Sequence, residues 1–239
     1  LQLQIQMVPP SSISKSPRSI FDGIFAFAPN RDSLGGTAYL IVETSSPVPG
    51  NLLIDCPAWN EENQAFLQQQ GGVRWLFLTH RTAHVKAKEI QQRFGCEIVV
   101  QEQEAYLLPN LAVRSFQQDF HWSSSLSEPQ NRALWTPGHS PGSACLYWAA
   151  QGGILFSGRH LLPNAQGDPA PLRTAKTFHW PRQIQSTRRI LTEFSPETLA
   201  FICPGASTGY LRGRGAIDRA YERLAQLDLD ACLQAEPLL

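Results

Sequence analysis

The sequence predicts a layered α/β domain, and three observations carry that expectation. Apolar runs of strand length recur along the chain. Segments with helical periodicity fall between some of them. The 239 residues, 42% of them hydrophobic, are enough for one substantial buried core.

The elements follow in order. Residues 1–19 hold a Pro- and Ser-rich stretch expected to form an extended arm, with a single domain over 20–239. Ala38–Val42, Leu52–Ile54, Trp75–Leu78 and Ile98–Val100 are the strands expected in the first half. Leu134–Trp135, Ala144–Ala149, Ile154–Phe156 and Leu199–Cys203 follow in the second. Asn60 is placed to cap a helix that stops at Gly71 and Gly72. Ala87, Ile90 and Phe94 repeat at helical spacing ahead of Gly95. Pro181 is placed to open a helix whose buried stripe is Ile184, Thr187, Leu191 and Phe194. Ile217, Ala220, Tyr221 and Leu224 give a last helical stripe.

Charge and cysteine content narrow the function. Lys+Arg and Asp+Glu are both 20, so the formal net charge is zero. That balance argues against a general nucleic-acid or membrane-surface binder, which needs clustered positive charge. No apolar run approaches the length of a bilayer span, and Leu1–Gln6 lacks the layout of a signal peptide. Of the five cysteines, Cys56, Cys96, Cys145 and Cys203 lie in or beside apolar runs, with no CxxC pair. That usage fits reduced, buried thiols and a cytoplasmic location.

Three segments end or interrupt strands with a histidine: Leu76-Phe-Leu-Thr-His80-Arg-Thr-Ala-His84-Val85, Thr136-Pro-Gly-His139-Ser-Pro-Gly-Ser143, and Gly153-Ile-Leu-Phe-Ser-Gly158-Arg159-His160-Leu161. Loops at strand ends commonly hold functional groups on a rigid scaffold. With Leu53-Ile-Asp55 upstream and Cys203-Pro-Gly205 downstream, these segments resemble the landmarks of the metallo-β-lactamase superfamily, within it the glyoxalase II-like hydrolases. All five landmarks stand in the family order over roughly residues 20–225.

The resemblance implies a four-layer αββα sandwich with its active site at one edge of the two sheets. It also implies a dinuclear metal site, and here the chain departs from the pattern. His80 matches the first metal histidine and His139 the third. Thr82 stands where the second histidine belongs, His84 replaces an aspartate and Val85 a histidine. Arg159 replaces the aspartate that bridges both metals, and Ala206 the last histidine. A guanidinium is permanently positive and offers no lone pair, and neither valine nor alanine offers one. What remains is at most one divalent metal, zinc, iron or manganese, on His80, His84 and His139.

Two functions from different classes are consistent with this pattern. In the first, the chain is a non-catalytic pseudo-hydrolase. Its cleft, lined by His80, Arg81, Thr82, His84, His139, Arg159 and His160, takes a small anionic ligand or a partner. In the second, it hydrolyses esters or thioesters with one metal or none. There His80 or His139 serves as general base and Arg159 stabilises the oxyanion. A scaffold role is compatible too. His80 and His139 can also be read as remnants hydrogen-bonded inside the old cleft. Asp55 is expected to orient the histidine loop, and Cys56 to be a buried structural thiol. Gly35, Gly36 and Gly205 are expected in turns, and His121 and His179 at the surface. Arg219 and Arg223 are expected on a solvated helix face, and Arg212 and Arg214 near the cleft.

Overall fold

The computed structural model describes residues 16–43, 50–121, 131–207, 209–211 and 213–237. Its strands form two large sheets. In the first, β1 (Arg18–Phe21), β2 (Ile24–Ala26), β3 (Tyr39–Ile41) and β4 (Leu52–Ile54) run antiparallel. The sheet continues parallel through β5 (Trp75–Phe77), β6 (Glu97–Gln101) and β7 (Val113–Phe116). The second sheet starts from β8 (Asp119–His121), β9 (Arg132–Trp135), β10 (Ala144–Trp148) and β11 (Ile154–Gly158). Past the small hairpin of β12 (Leu162–Pro163) and β13 (Pro169–Ala170), β14 (Phe201–Pro204) and β15 (Ile217–Asp218) complete it. Its spatial order is β15-β14-β11-β10-β9-β8.

Burial explains the layering. The inner faces of the two sheets meet through Tyr39, Ile54, Phe77 and Val99 on one side and Ala133, Leu146, Ile154 and Phe156 on the other. The outer face of the first sheet, with Leu40, Leu53, Leu76 and Ile98, packs on Leu67 of α1 (Glu61–Gln69) and Ile90 of α2 (Ala87–Phe94). The outer face of the second, with Leu134, Cys145, Leu155 and Ile202, packs on Ile190 of α3 (Trp180–Glu193) and Leu224 of α4 (Ala220–Ala225). A strand points alternate side chains to opposite faces, so a sheet covered on both sides reads as a continuous apolar run. The result is the αββα sandwich expected from the sequence. A last short helix, α5 (Leu229–Leu233), buries Leu229 against Trp180 and Ile184.

The helix signals hold in detail. Asn60 accepts the backbone N–H of Asn63 at 2.9 Å, and Gly95 ends α2 at φ 65°. Pro181 stands in the first turn of α3, where its missing N–H removes no helical bond. Its cap is His179, exposed as expected, with Nδ1 accepting from the Arg182 N–H at 3.2 Å.

Three expectations change. Ile217 belongs to β15, because Arg219 turns left-handed at φ 44° and separates it from α4. Arg223 is not on a solvated face; it donates to Asp168 at 2.7 Å, to Asp218 at 2.8 Å and to the Gly167 carbonyl at 2.8 Å. The first sheet begins at Arg18, within the segment read as an arm, whose residues 1–15 lie outside the described ones. Among the described residues, no helix is long and apolar enough to cross a membrane.

Candidate functional site

The landmark segments converge at one edge of the sandwich. Asp55 follows β4, Thr79 and His80 follow β5, the turn 136–143 joins β9 to β10, and Arg159 follows β11. The Ala144 N–H donates to the Thr79 carbonyl at 2.9 Å, and the Gly205 N–H to the Gly158 carbonyl at 2.7 Å. These bonds link the segments directly, so the site is held by backbone as well as by side chains.

Asp55 adopts φ 60°, which aims its carboxylate at the next loop. Its oxygens accept the Thr79 N–H at 2.8 Å and the Thr79 hydroxyl at 2.7 Å. Burial raises its pKa to about 6; the two Thr79 bonds and the charge of Arg159 oppose that rise. With its hydroxyl hydrogen given to Asp55, Thr79 Oγ1 accepts from His80 Nδ1 at 2.8 Å. The His80 tautomer is thereby fixed, with a lone pair on Nε2, a buried atom without a hydrogen-bond partner among the described residues. Asp55 thus orients the histidine loop, as expected.

His80 lies at 3% exposure, with its ring edge-on to His139 and centroids 5.4 Å apart. Burial and then the charges of His139, Arg159, His84 and Arg81 push its pKa well down. His139 falls to about 4, through burial and then Arg159 and Arg81. Both rings are neutral at neutral pH.

Arg159 has a definite second attachment. Its Nη2 donates to the carbonyls of Ser33 at 2.9 Å and Leu34 at 2.8 Å, in the loop between β2 and β3. Burial lowers its pKa, and the charge of Asp55 opposes that. The bonded Leu34 is left-handed at φ 54° and 54% exposed, an unfavourable conformation for a bulky side chain.

The cleft beside these residues has a volume of about 530 Å³. Its polar lining is Arg81, Thr82, His139, Arg159, Thr174 and Lys176. Its apolar lining is Leu34, Leu162, Leu172 and Ala175. Among the described residues, no Asp or Glu lines it. Arg81, Arg159 and Lys176 form no salt bridge among the described residues. Arg81 instead lies over the ring of Phe178, 5.8 Å from its centroid.

Of the residues expected in the cleft, Arg81, Thr82, His139 and Arg159 line it, and three do not. His80 is buried behind His139. His84 holds the Arg81 carbonyl through Nδ1 at 2.5 Å and lines a different hollow, with Val85, Lys88 and Leu111. His160 is fully buried beneath α3, its Nε2 3.3 Å from Thr187 Oγ1 and its carbonyl bonded by Gln183 at 2.9 Å. Burial and then His139 lower its pKa to about 3. Arg214 lines a separate hollow with Arg18 and Tyr39, and Arg212 lies outside the described residues. Asp168 is occupied by Arg223. Cys56 is a buried thiol whose pKa burial raises far above the ordinary range.

The donor set does not fit the metal site of the family pattern. Arg159 brings a cation to the bridging position, and Ala206, buried after β14, has no donor. His84 points its ring at backbone. Among the described residues, no three His, Cys, Asp or Glu side chains are grouped to hold a metal ion, so the His80, His84 and His139 set is not assembled.

Several residues escaped sequence reasoning, Lys176 and Glu104 among them. Lys176 sits in the loop before α3 with no motif around it. That loop reaches the cleft because the Phe178 and His179 N–H groups donate to the His139 and Gly138 carbonyls at 3.2 and 2.9 Å. Glu104, at 3% exposure, accepts the Gly142 N–H at 3.0 Å and so anchors the turn that carries His139.

No protein-family model matches the chain, nor does any curated protein sequence. Solved structures do. A metallo-β-lactamase superfamily protein of Sulfolobus tokodaii has a TM-score of 0.62 at 14% identity, over 91% of this chain and 88% of that one. ETHE1 of Myxococcus xanthus has a TM-score of 0.61 at 19% identity, over 87% and 86%. A metallo-β-lactamase family protein of Thermus thermophilus has 0.62 at 15%, over 90% and 81%. At such identities the likeness establishes the fold, and the fold is that of the metallo-β-lactamase superfamily.

Proposed function

We propose that this metallo-β-lactamase-fold chain is a pseudo-hydrolase whose cleft binds a small anion without a metal. One observation carries the proposal: Arg81, Arg159 and Lys176, none in a salt bridge among the described residues, converge on a cleft that no carboxylate of the described residues lines. Placing unpaired cations around one partly dry cleft is unfavourable unless an anion completes the set. Arg159 supplies a fixed charge, because its Nη2 is tied to the Ser33 and Leu34 carbonyls. Arg81 and Lys176 supply donors whose side chains can turn toward a ligand. Buried free thiols favour a reducing compartment, in keeping with a cytoplasmic protein.

The test is calorimetric titration of tag-free protein with acetate and with inorganic phosphate. The expected result is saturable binding of at least one of them. Arg159→Asp weakens it by at least about tenfold, since a buried anion loses its nearest fixed charge. Equal binding by Arg159→Asp would sink the proposal.

One observation favours a second reading. His139 lines the cleft as a neutral imidazole beside Arg159, the pair that acyl transfer needs for a base and an oxyanion donor. On this reading the chain hydrolyses activated esters or thioesters, and His139→Ala abolishes turnover. Turnover unchanged in that variant rules it out.

A further inference from the structure

The cleft is cationic at one part of its wall and apolar at another. Leu34, Leu162 and Leu172 face the same space as Arg159 and Lys176. Phe178, 51% exposed, extends the apolar surface alongside Arg81. Inorganic phosphate or acetate would use the cations and leave Leu34 and Leu172 partly in water.

Leu34 is the most informative of these residues. Its backbone is left-handed, a region open to glycine and poorly suited to leucine. Gly35 beside it takes φ 79° with no side chain in the way. Arg159 holds the Leu34 carbonyl, so the charge and the exposed apolar side chain are fixed relative to each other. The packed core takes little from Leu34, which is more than half exposed. A bulky residue kept in this conformation, at the mouth of a binding cleft, points to contact with a ligand.

We infer that the ligand is an amphiphilic anion: a carboxylate or phosphate head held by Arg159, Arg81 and Lys176, with a short alkyl or aryl tail against Leu34, Leu162 and Leu172. The inference rests on the anion-binding reading and adds the tail. Binding then draws on two sources, charge at one end and apolar burial at the other. Lys176 and Leu172 lie in one loop, between β13 and α3, so a single segment supplies groups to both ends.

The experiment compares acetate, octanoate, octyl phosphate and octanol by calorimetric titration of the full chain. Octanoate is expected to bind at least about tenfold more tightly than acetate, and octanol to be no match for octanoate. The tighter of octanoate and octyl phosphate identifies the head, and either order supports the inference. Leu34→Gly should bring octanoate close to acetate, because it removes the apolar contact at a position whose backbone suits glycine. Leu172→Asn is a second variant with the same expected result. Acetate equal to octanoate would overturn the inference and leave the anion reading standing. Octanol equal to octanoate would overturn both, as would no binding by any of the four.

Discussion

Arg159, which stands where the family resemblance implies a bridging aspartate, is the fixed cation of the cleft. On the proposed reading Arg159 does two jobs at once: it supplies a cation to the cleft, and it fastens the β2–β3 loop by two carbonyl bonds. Removing it in Arg159→Met should lower stability by about 2 kcal/mol, since hydrogen bonds to charged groups are worth more than neutral ones. Urea denaturation checks this. Leu34→Gly should be neutral or stabilising by up to about 1 kcal/mol, because relief of left-handed strain is partly offset by glycine entropy in the unfolded chain. A clear loss of stability in Leu34→Gly would mean that Leu34 packs on the fold rather than waiting for a ligand. Gly158 also matters, because an added Cβ at its φ of 52° would strike the Thr79 side chain that orients His80. At this scale the sequence was informative for Asp55, His139 and Arg159, which stand in strand-end motifs. It was silent on Lys176, Leu34 and Leu172, whose roles come from tertiary placement alone.

At the scale of elements, the TPGHSPGS turn is held from two directions. Glu104, in the short 3-10 helix Glu102–Leu107, accepts the Gly142 N–H, and the loop before α3 donates to the His139 and Gly138 carbonyls. Glu104→Ala leaves the buried Gly142 N–H unpaired and should cost about 2 kcal/mol. It should also move the His139 resonances in a nuclear magnetic resonance spectrum, whereas unchanged resonances would detach Glu104 from the site. α3 is tethered by ions: Arg189 pairs with Asp119 at 2.8 Å and Glu193 at 2.5 Å, and Arg132 pairs with Glu193 at 2.7 Å. These groups are partly exposed, so Arg189→Met should cost less than about 1 kcal/mol and the loss should shrink in salt. Helices with a cap and a glycine stop were readable because those signals are local. Ile217 was not, because its spacing to Ala220 and Leu224 imitates a helix, and only the left-handed Arg219 breaks it.

Across the whole molecule, the layered fold was legible because every buried strand is a continuous apolar run and the landmarks keep their order. The contents of the cleft were less so: His80, His84 and His160 share the right segments, yet each turns away from the open space. The burial of His80, His139 and His160 has a consequence for pH. His139 at about 4 and His160 at about 3 are depressed below 6.5, and His80 is depressed too, mainly by burial in each case. Below 6.5 the unfolded chain takes up protons that the folded chain refuses, so these rings withdraw stability as pH falls from 6.5 toward 4. Asp55 works in the opposite sense. Raised from 3.8 to about 6, it makes the folded chain hold a proton that the unfolded chain loses, and so opposes stability as pH rises through that window. Glu104, also raised by burial, acts in the same sense as Asp55, and the three imidazoles outweigh these two carboxylates, each proton being worth about 1.4 kcal/mol per pH unit. Denaturation midpoints should therefore fall between pH 6.5 and 4, with a shallower slope in His139→Asn.

The most direct test of the central claim, an anion site that works without metal, is one calorimetric titration performed twice. Tag-free protein is stripped with a strong chelator, titrated with octanoate, and titrated again after an equivalent of zinc is added. The expected result is the same saturable binding in both, lost in Arg159→Asp. Binding that appears only after zinc is restored would contradict the claim and return the cleft to metal chemistry.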